Sequence, residues 1–520
     1  MRWMLIALAA CGSQAHPAPS RPDLVDRFPL AKLDDRALCD HLLARTPDQH
    51  MISVDAEPRT RRKVIVSDLH LGPGTTDRRF AGLEDFYADT EWAAFLEREG
   101  AIGPMDLVIA GDFIEFWQIA SALGALPAVG DPKQPRTGAV LASDQAASLT
   151  AIELAIAAHP TVFRALGRLL DTGDHRVVII AGNHDADLLW PKVQLAIARA
   201  VNPRDPARLV FVEGVAYQHA GVYIAHGHEL DAANRFATQH APFGRDRDGR
   251  CRLQTNWGEV FVDVFYTETE RQIPFIDNLY PEKAAVVWGL RDNPDLARDI
   301  GAAARAVDLL RVAQGRGLNR NALGSALQGA LGMPGKERGP ESSREVIDHV
   351  LDRLVNGDES TEALVVALAD LATDPELETL RHGLAAAAVA MPDLGAARRA
   401  LSQIDSASLG ALRDRLFGDL MVNGATALMR VRNVDVVVLG HTHSVGGGVN
   451  RVEVARGRAG YYANTGSWIS VASVAELRAK GITWDQLNLA DRATFPSKLT
   501  SVVVEYDGAT PRAPAVRNAR

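Results

Sequence analysis

Aspartate, asparagine and histidine recur in this sequence directly after short apolar runs, at positions far apart along the chain. The candidates are Asp68, His70, Asp112, Asn183, His226, His441 and His443. Side chains at positions i and i+2 of an extended segment point to the same side, so Asp68 can act with His70, and His441 with His443. Oxygen and nitrogen ligands without a thiolate suit Mn²⁺, Fe or Zn²⁺ rather than a structural cysteine-type zinc site.

This set is too large for one tetrahedral ion. It fits two divalent ions that share a bridging carboxylate and lie roughly 3.5–4 Å apart, the arrangement used for phosphoryl displacement. A water or hydroxide that bridges two such cations has a lowered pKa and becomes a nucleophile near neutral pH. The cations also offset the charge on the phosphoryl oxygens as the transition state forms.

One stretch, VVIIAGNHDADLL at residues 177–189, ends a buried-type strand in an amide, an imidazole and a carboxylate. An ordinary turn is one explanation, and a site at the carboxyl end of a strand is the other. Each motif alone is weak, but their occurrence in order, each after its own strand, favours the site. His184 could donate a proton to a leaving oxygen. Asp185 could orient that imidazole or cap the helix that follows.

The elements that must position these groups alternate along the chain. Residues 63–231 contain short apolar strands separated by helical stretches, which predicts layered α/β architecture, and this core resumes at 431–510. Between them, 232–430 has apolar residues at three- and four-residue steps, which predicts a mostly helical insertion. Residues 23–62 read as one helix and a linker, and 511–520 as a disordered tail.

Composition restricts the partners. The net charge of −9 and the pI near 5.9 argue against nucleic acid as a bulk electrostatic partner. The cysteines Cys11, Cys39 and Cys251 are too few for a disulfide framework and lack metal-ligand spacing.

Residues 1–22 resemble the signal sequence and tether of a bacterial lipoprotein. Leu8-Ala9-Ala10-Cys11 matches a lipobox after a short apolar run, and a Pro- and Ser-containing segment follows. The sequence therefore predicts export and membrane anchoring through a lipidated Cys11. A buried helix start or a misplaced start codon is the alternative, which leaves a cytoplasmic or peripheral membrane protein.

The motifs SDLHLG, AGDFIEFW, AGNHD, AHGHELD and LGHTHS together resemble the calcineurin-like metallophosphoesterases. The resemblance covers about 63–231 and 432–505. It implies a four-layer α/β sandwich, two mixed β-sheets flanked by helices, with a dinuclear centre at one edge.

The resemblance also implies roles for individual residues. One ion is held by Asp68, His70 and His443, the other by Asn183, His226 and His441, and Asp112 bridges both. His184 is the catalytic imidazole and Asp185 positions it. Glu115 is expected to hydrogen-bond a ligand histidine or to be a solvated surface acid, and His228 to contact substrate or support the ligands.

In motif detail the chain is similar to the branch that contains UDP-2,3-diacylglucosamine pyrophosphatase. The large insertion and the exported lipoprotein interpretation both depart from that branch, so only the fold and the reaction type are carried over. The expected substrate is a phosphorylated small molecule or lipid, and the expected reaction is hydrolysis of a phosphoric ester or pyrophosphate. A non-catalytic scaffold and a nuclease are the alternatives, and the sequence does not indicate an oligomeric state.

The insertion is expected to act as a lid, since it enters near the metal edge. Its aromatic residues between 256 and 280 could form an apolar wall of the pocket or bury the insertion's own core. Arg78, Arg79 and Arg235 are candidate phosphate contacts, and NTGSW at 464–468 is either a pocket wall or a tight turn.

Overall fold

The structure is a computed structural model. It describes residues 24–45, 52–57, 59–76, 82–123, 143–231, 234–246, 248–256, 420–444, 447–488 and 498–520, with short pieces between 258 and 288. The expected lipobox, Arg78 and Arg79, and most of the expected helical insertion lie outside the described residues.

Two six-stranded mixed sheets form the centre of the fold. The first sheet has the order β18-β15-β2-β3-β4-β5, and its four strands from β2 to β5 run parallel. Its strands are β2 Arg62–Val66, β3 Met105–Ala110, β4 Arg176–Ile180, β5 Leu209–Phe211, β15 Thr500–Val504 and β18 Ala515–Asn518. The antiparallel strands β15 and β18 complete one edge.

The second sheet has the order β1-β6-β7-β11-β13-β12. Its strands are β1 Ile52–Val54, β6 Ala216–His219, β7 Val222–Ala225, β11 Val436–Leu439, β12 Gly448–Ala455 and β13 Arg458–Asn464. In this sheet β7, β11 and β13 run parallel, so their carboxyl ends meet at one edge. Short pairs outside the two sheets are β8 Phe243–Arg245 with β9 Cys251–Leu253, β10 Leu279–Tyr280 with β14 Ala472–Ser473, and β16 Tyr506–Asp507 with β17 Thr510–Pro511.

Helices cover the outer faces of both sheets. Those of the described residues are α1 Leu24–Arg27, α2 Asp35–Leu43, α3 Asp89–Ile102, α4 Phe116–Ala122, α5 Gln145–Ala158, α6 Pro160–Thr172, α7 Pro191–Val201, α8 Leu420–Arg432, α9 Val474–Ala479 and α10 Trp484–Asn488. The helical residues between 145 and 172 form two helices and not one, because Pro160 begins α6 and cannot continue α5.

Side-chain alternation along the strands explains the layers. In β3, Val108 packs with Ile224 and Val438 of the facing sheet, whereas Leu107 and Ile109 pack with the helices. On the far side, α8 packs on β11, β12 and β13. The protein is therefore a layered α/β structure in which two mixed sheets lie between helices, the coarse architecture that the sequence predicts.

The N-terminal region differs from the single helix expected at 23–62. It forms α1, a 3₁₀ turn at Pro29–Lys32 and α2, whose N-cap Asp34 accepts a hydrogen bond from the Ala37 amide at 2.8 Å. A disulfide joins Cys39 of α2 to Cys251 of β9, with 5.3 Å between their Cα atoms. No local sequence pattern pairs these two cysteines, which are separated by 212 positions.

The tail, expected to be disordered, forms β18, which pairs antiparallel with β15 because its backbone satisfies that sheet edge. The insertion, expected to be mostly helical, also carries a β-hairpin, β8–β9, near its start.

By length and hydropathy, none of the single helices within the described ranges could cross a membrane. The bent pair α5–α6, which meets at 84°, passes that test when taken together.

Candidate metal centre

The seven predicted ligands follow the carboxyl ends of five strands. Asp68 and His70 come after β2, Asp112 after β3, Asn183 after β4, His226 after β7, and His441 and His443 after β11. The two sheets bring these ends together at one edge, where the His441 amide donates to Asp68 Oδ2 at 3.2 Å. Asp68 and His441 are thus in direct contact, although 373 positions separate them in the sequence.

The first group consists of Asp68, His70, Asp112 and His443, whose ligand-type atoms all lie within 4.8 Å of one another. His443 Nε2 is 3.1 Å from both Asp68 Oδ1 and His70 Nε2, and His70 Nε2 is 3.7 Å from Asp112 Oδ2. Two imidazole nitrogens and two carboxylates therefore face a common point.

The second group consists of Asp112, His226 and His441. His226 Nε2 lies 3.0 Å from Asp112 Oδ2 and 3.0 Å from the amide oxygen of Asn183. Asp112 belongs to both groups, so its carboxylate lies between the two sets of ligands.

The residues present fit divalent cations. Asp68 Oδ1 is buried, and its neighbour at 3.1 Å is His443 Nε2, itself a predicted ligand atom, so a cation bound by both would neutralise the buried carboxylate. The two groups offer imidazole nitrogen and carboxylate or amide oxygen, the donor set of Mn²⁺, Zn²⁺ or Fe. Two cations would also relieve the repulsion between the buried carboxylates of Asp68 and Asp112.

The backbone at the ligands is strained. Positive φ angles occur at Asp68 (54°), His70 (49°), Asp112 (48°), His441 (68°) and His443 (46°). Each such conformation costs on the order of 1–3 kcal/mol in a residue with a side chain. The strain fixes the direction of these side chains before any ligand binds.

Close backbone approaches hold this conformation. Gly111 has φ of 87°, and a Cβ there would collide with the His226 ring. A Cβ on Gly182 would collide with Asp112. The two glycines are therefore required where the two sheets and the GNHD loop come closest.

The NTGSW segment supports Asp68 rather than forming a free turn. The Trp468 amide donates to the Asp68 carbonyl at 3.0 Å, and Thr465 Oγ1 lies 2.5 Å from Ser67 Oγ. The Trp468 side chain is buried and packs edge-on against Trp92 at 5.0 Å. This segment ties the end of β13 to the end of β2.

His184 lies beside the two groups and is partly accessible, with its side chain 19% exposed. Its amide donates to Asp112 Oδ1 at 2.9 Å, and its Nδ1 is 2.7 Å from Glu115 Oε2. Burial alone would lower the pKa of this imidazole, but the carboxylates of Glu115 and Asp112 raise it to about 9. A ring that holds a proton beside a metal centre can stabilise negative charge or donate that proton.

Glu115 contacts two imidazoles at once. Its Oε2 is 2.8 Å from Nδ1 of His70 and 2.7 Å from Nδ1 of His184. Burial would raise the pKa of the carboxyl, but the neighbouring His184 and His70 lower it to about 2. Glu115 is therefore a buried carboxylate that orients both rings and not a solvated surface acid.

Asp185 does not contact the His184 ring, contrary to the expected positioning role. Its carboxylate accepts hydrogen bonds from the amides of Gly182 at 2.5 Å and Phe113 at 2.7 Å. It also does not cap the 3₁₀ turn Ala186–Leu189 through its side chain. Asp185 instead binds the GNHD loop to the loop after β3, and Glu115 orients the imidazole.

His228 is buried beside the second group, with its ring 5.5 Å from that of His226. Burial, together with the nearby His226 and His441, lowers its pKa well below the usual value. It packs against Phe236 at 5.7 Å. His228 therefore packs beside the predicted ligand His226 as a neutral ring.

Sequence reasoning missed Trp117, Asp231 and Asn234. Trp117 stacks on His184, and Asp231 Oδ2 is 3.1 Å from His441 Nε2. Asp231 ends the AHGHELD motif, so its proximity to a ligand-bearing strand end was the available signal. No spacing rule links it to His441, because 210 positions separate the two residues.

A further cluster of metal-ligand type, Asp55, Asp106 and His219, lies at the other ends of the strands. Lys63 is buried within it, and its Nζ is 3.0 Å from Asp106 Oδ2 and 2.9 Å from His219 Nδ1. Arg176 also pairs with both carboxylates, with its Nε 2.9 Å from Asp106 Oδ1. Lys63 and Arg176 together therefore neutralise this cluster, which distinguishes it from the edge described above.

No protein-family model matches the chain, and no curated protein is similar to it in sequence.

Proposed function

We propose that the chain is a dinuclear metal-dependent phosphohydrolase with the calcineurin-like metallophosphoesterase sandwich. One observation carries the proposal: two clusters of Asp and His share Asp112 at the edge where five strands end, and His184 lies beside them. Packing alone has no use for buried, strained ligands of this kind.

Two divalent ions bound there would activate a water and neutralise phosphoryl charge. The chain's own residues have complementary tasks. Asp68, His70 and His443 bind one ion, and Asn183, His226 and His441 bind the other, with Asp112 between them. Glu115 holds the His184 ring so that a proton on its Nε2 can reach the leaving oxygen of a phosphoric ester or anhydride.

The substrate proposed is a phosphorylated small molecule or lipid. Export as a lipoprotein anchored at Cys11 belongs to the same proposal. The Cys39–Cys251 disulfide supports it, because disulfides persist in oxidising compartments and are rare in the cytosol. Mass spectrometry of the mature native protein tests this point: an acylated N-terminal Cys11 is expected, and an intact Met1 would contradict it.

Metal content and turnover together test the reaction. The purified protein loaded with Mn²⁺ should contain two equivalents and hydrolyse p-nitrophenyl phosphate, bis-p-nitrophenyl phosphate or both. His184→Ala should keep the metal and lose roughly 10²–10⁴-fold in kcat, the range of general acid–base catalysis. A folded wild-type protein that binds no metal and turns over neither ester would instead be a non-catalytic scaffold.

A further inference from the structure

Two of the predicted histidine ligands have a hydrogen-bond acceptor behind the ring. His226 Nδ1 lies 2.9 Å from the Ala110 carbonyl, so it donates there and leaves Nε2 facing Asp112. His70 Nδ1 lies 2.8 Å from Glu115, and its Nε2 faces the centre. Such outer acceptors fix the tautomer and orientation of metal-binding imidazoles.

His441 has a partner of the same kind in Asp231. The His441 Nε2 is 3.1 Å from Asp231 Oδ2, which also accepts a hydrogen bond from Asn234 Nδ2 at 2.8 Å. When Nε2 donates to Asp231, Nδ1 is the ring nitrogen whose lone pair is free to bind a cation. Asp231 lies just after β7 and its side chain is 31% exposed, so it is outside the buried ligand cluster.

Asn234 connects this pair to a second ligand. Its Oδ1 lies 3.4 Å from Asn183 Nδ2. An Asn ligand binds a cation through its amide oxygen. By accepting from Nδ2, Asn234 sets the amide so that Asn183 Oδ1 points inward, where it lies 3.0 Å from His226 Nε2.

We propose that Asp231 and Asn234 are positioning residues that hold two ligands of the same ion, His441 and Asn183, in their ligating orientations. The inference rests on the proposed function. It assigns to this pair a selective effect on one of the two ions, because the Asp68, His70 and His443 group has other supports.

The start of the insertion braces the pair. Asn256 Nδ2 donates to the Asn234 carbonyl at 2.9 Å, and Asn256 Oδ1 accepts from the Glu259 amide at 2.9 Å. At Gly258 an added Cβ would collide with Asn234 Oδ1. The first residues of the insertion therefore set the position of Asn234, and through it the second group of ligands.

Calorimetric titration of the metal-free full chain with Mn²⁺ tests the inference, with electron paramagnetic resonance to detect the spin-coupled pair. The wild type should bind two equivalents. Asp231→Ala, Asn234→Ala and Gly258→Ala should each bind one ion as the wild type does and the other roughly 10–100-fold more weakly. Asp231→Asn retains an acceptor for the ring N–H, so it should restore most of the lost affinity.

Asp89→Ala is a matched control. Asp89 Oδ2 lies 3.1 Å from His159 Nδ1 and its side chain is 31% exposed, as for Asp231 and its histidine. This variant should bind both ions with wild-type affinity, and thermal unfolding should show that every variant is folded.

The outcomes separate the two proposals. A wild type that takes up no Mn²⁺ contradicts the proposed function. Two wild-type sites that persist in Asp231→Ala and Asn234→Ala overturn the positioning role alone. Equally weakened binding of both ions overturns it as well, because the effect would then be non-selective. An Asp231→Asn variant that binds Mn²⁺ as weakly as Asp231→Ala also overturns it, because the effect would then require the carboxylate charge.

Discussion

The indole of Trp117 stacks on the imidazole of His184, with ring centroids 3.8 Å apart and ring planes inclined by 26°. Trp117 is buried, so it covers one face of the imidazole while Glu115 holds its Nδ1. A protonated imidazole is stabilised by an aromatic face, by roughly 1–2 kcal/mol when it is shielded from water. The stack therefore fixes the ring and favours its protonated form.

Replacement of Trp117 tests this contact. Trp117→Ala should lower kcat for bis-p-nitrophenyl phosphate roughly tenfold, since loss of about 1.4 kcal/mol of stabilisation corresponds to a factor of ten. KM should change little if the indole acts on His184 and not on substrate. Trp117→Phe keeps a ring and should stay within about threefold of wild type in kcat. An alanine variant with wild-type kcat would show that the stack has no part in catalysis.

Glu115→Gln should affect both rings that Glu115 orients. Glu115 Oε2 accepts from both rings, and the uncharged Gln amide cannot replace it in both hydrogen bonds. The Mn²⁺ affinity should therefore fall roughly 10–100-fold. Activity should remain low even at saturating Mn²⁺, because His184 loses the carboxylate that holds its Nδ1 at 2.7 Å. Glu153→Gln, at an exposed position on α5, is the matched control. Full recovery of activity at high Mn²⁺ would mean that Glu115 acts only by orienting the predicted ligand His70 and not through His184.

The strands that carry the candidate site could be predicted because each apolar run ends within a few positions of the polar residues that could bind a metal. In RVVIIAGNHD the strand β4 ends at Ile180, and the polar residues begin three positions later. Parallel strands end at one edge of a sheet, so the order of the motifs was enough to bring Asp68, Asp112 and Asn183 together.

Contacts between elements that are remote in sequence could not be predicted in this way. Whether Glu115 or Asp185 faces His184 depends on the path of two loops. Both residues are acidic and both belong to site motifs, so the sequence does not distinguish them. The tail strand β18 has few apolar residues because it lies at a sheet edge, so its sequence resembles that of an unstructured segment. The disulfide depends on the packing of α2 against the hairpin, which no local pattern encodes.

His159 should make stability depend on alkaline pH. Burial lowers its pKa, but Asp89 and Glu84 outweigh this and raise the pKa to about 9, from 6.5. Because the folded pKa is raised, the stabilisation is complete below about pH 6.5 and is lost as pH rises through about 9. The amount is on the order of 3 kcal/mol.

Urea unfolding at pH 6.5 and pH 10 checks this expectation. The difference in unfolding free energy between wild type and His159→Gln should be largest at pH 6.5 and should shrink at pH 10. Comparison with the variant removes the contribution of other groups that titrate in the same interval. A difference that stays constant over this range would mean that His159 is not protonated in the folded protein.

The Cys39–Cys251 disulfide should stabilise the fold strongly. It closes a loop with a sequence separation of 212 and ties α2 to the hairpin β8–β9, where both cysteines are buried. In the chain-entropy model a loop of this length contributes about 5 kcal/mol, mostly by restricting the unfolded chain. Cys39→Ser, or reduction of the wild type, should therefore lower the unfolding temperature by several degrees, measured by circular dichroism.

Cys11→Ser removes the third cysteine and should leave the unfolding temperature unchanged. Because α2 packs on the hairpin β8–β9 and contributes none of the predicted metal ligands, Cys39→Ser should retain both Mn²⁺ equivalents below its unfolding temperature. A reduced protein that unfolds at the wild-type temperature would mean that packing of α2 alone holds the N-terminal region in place.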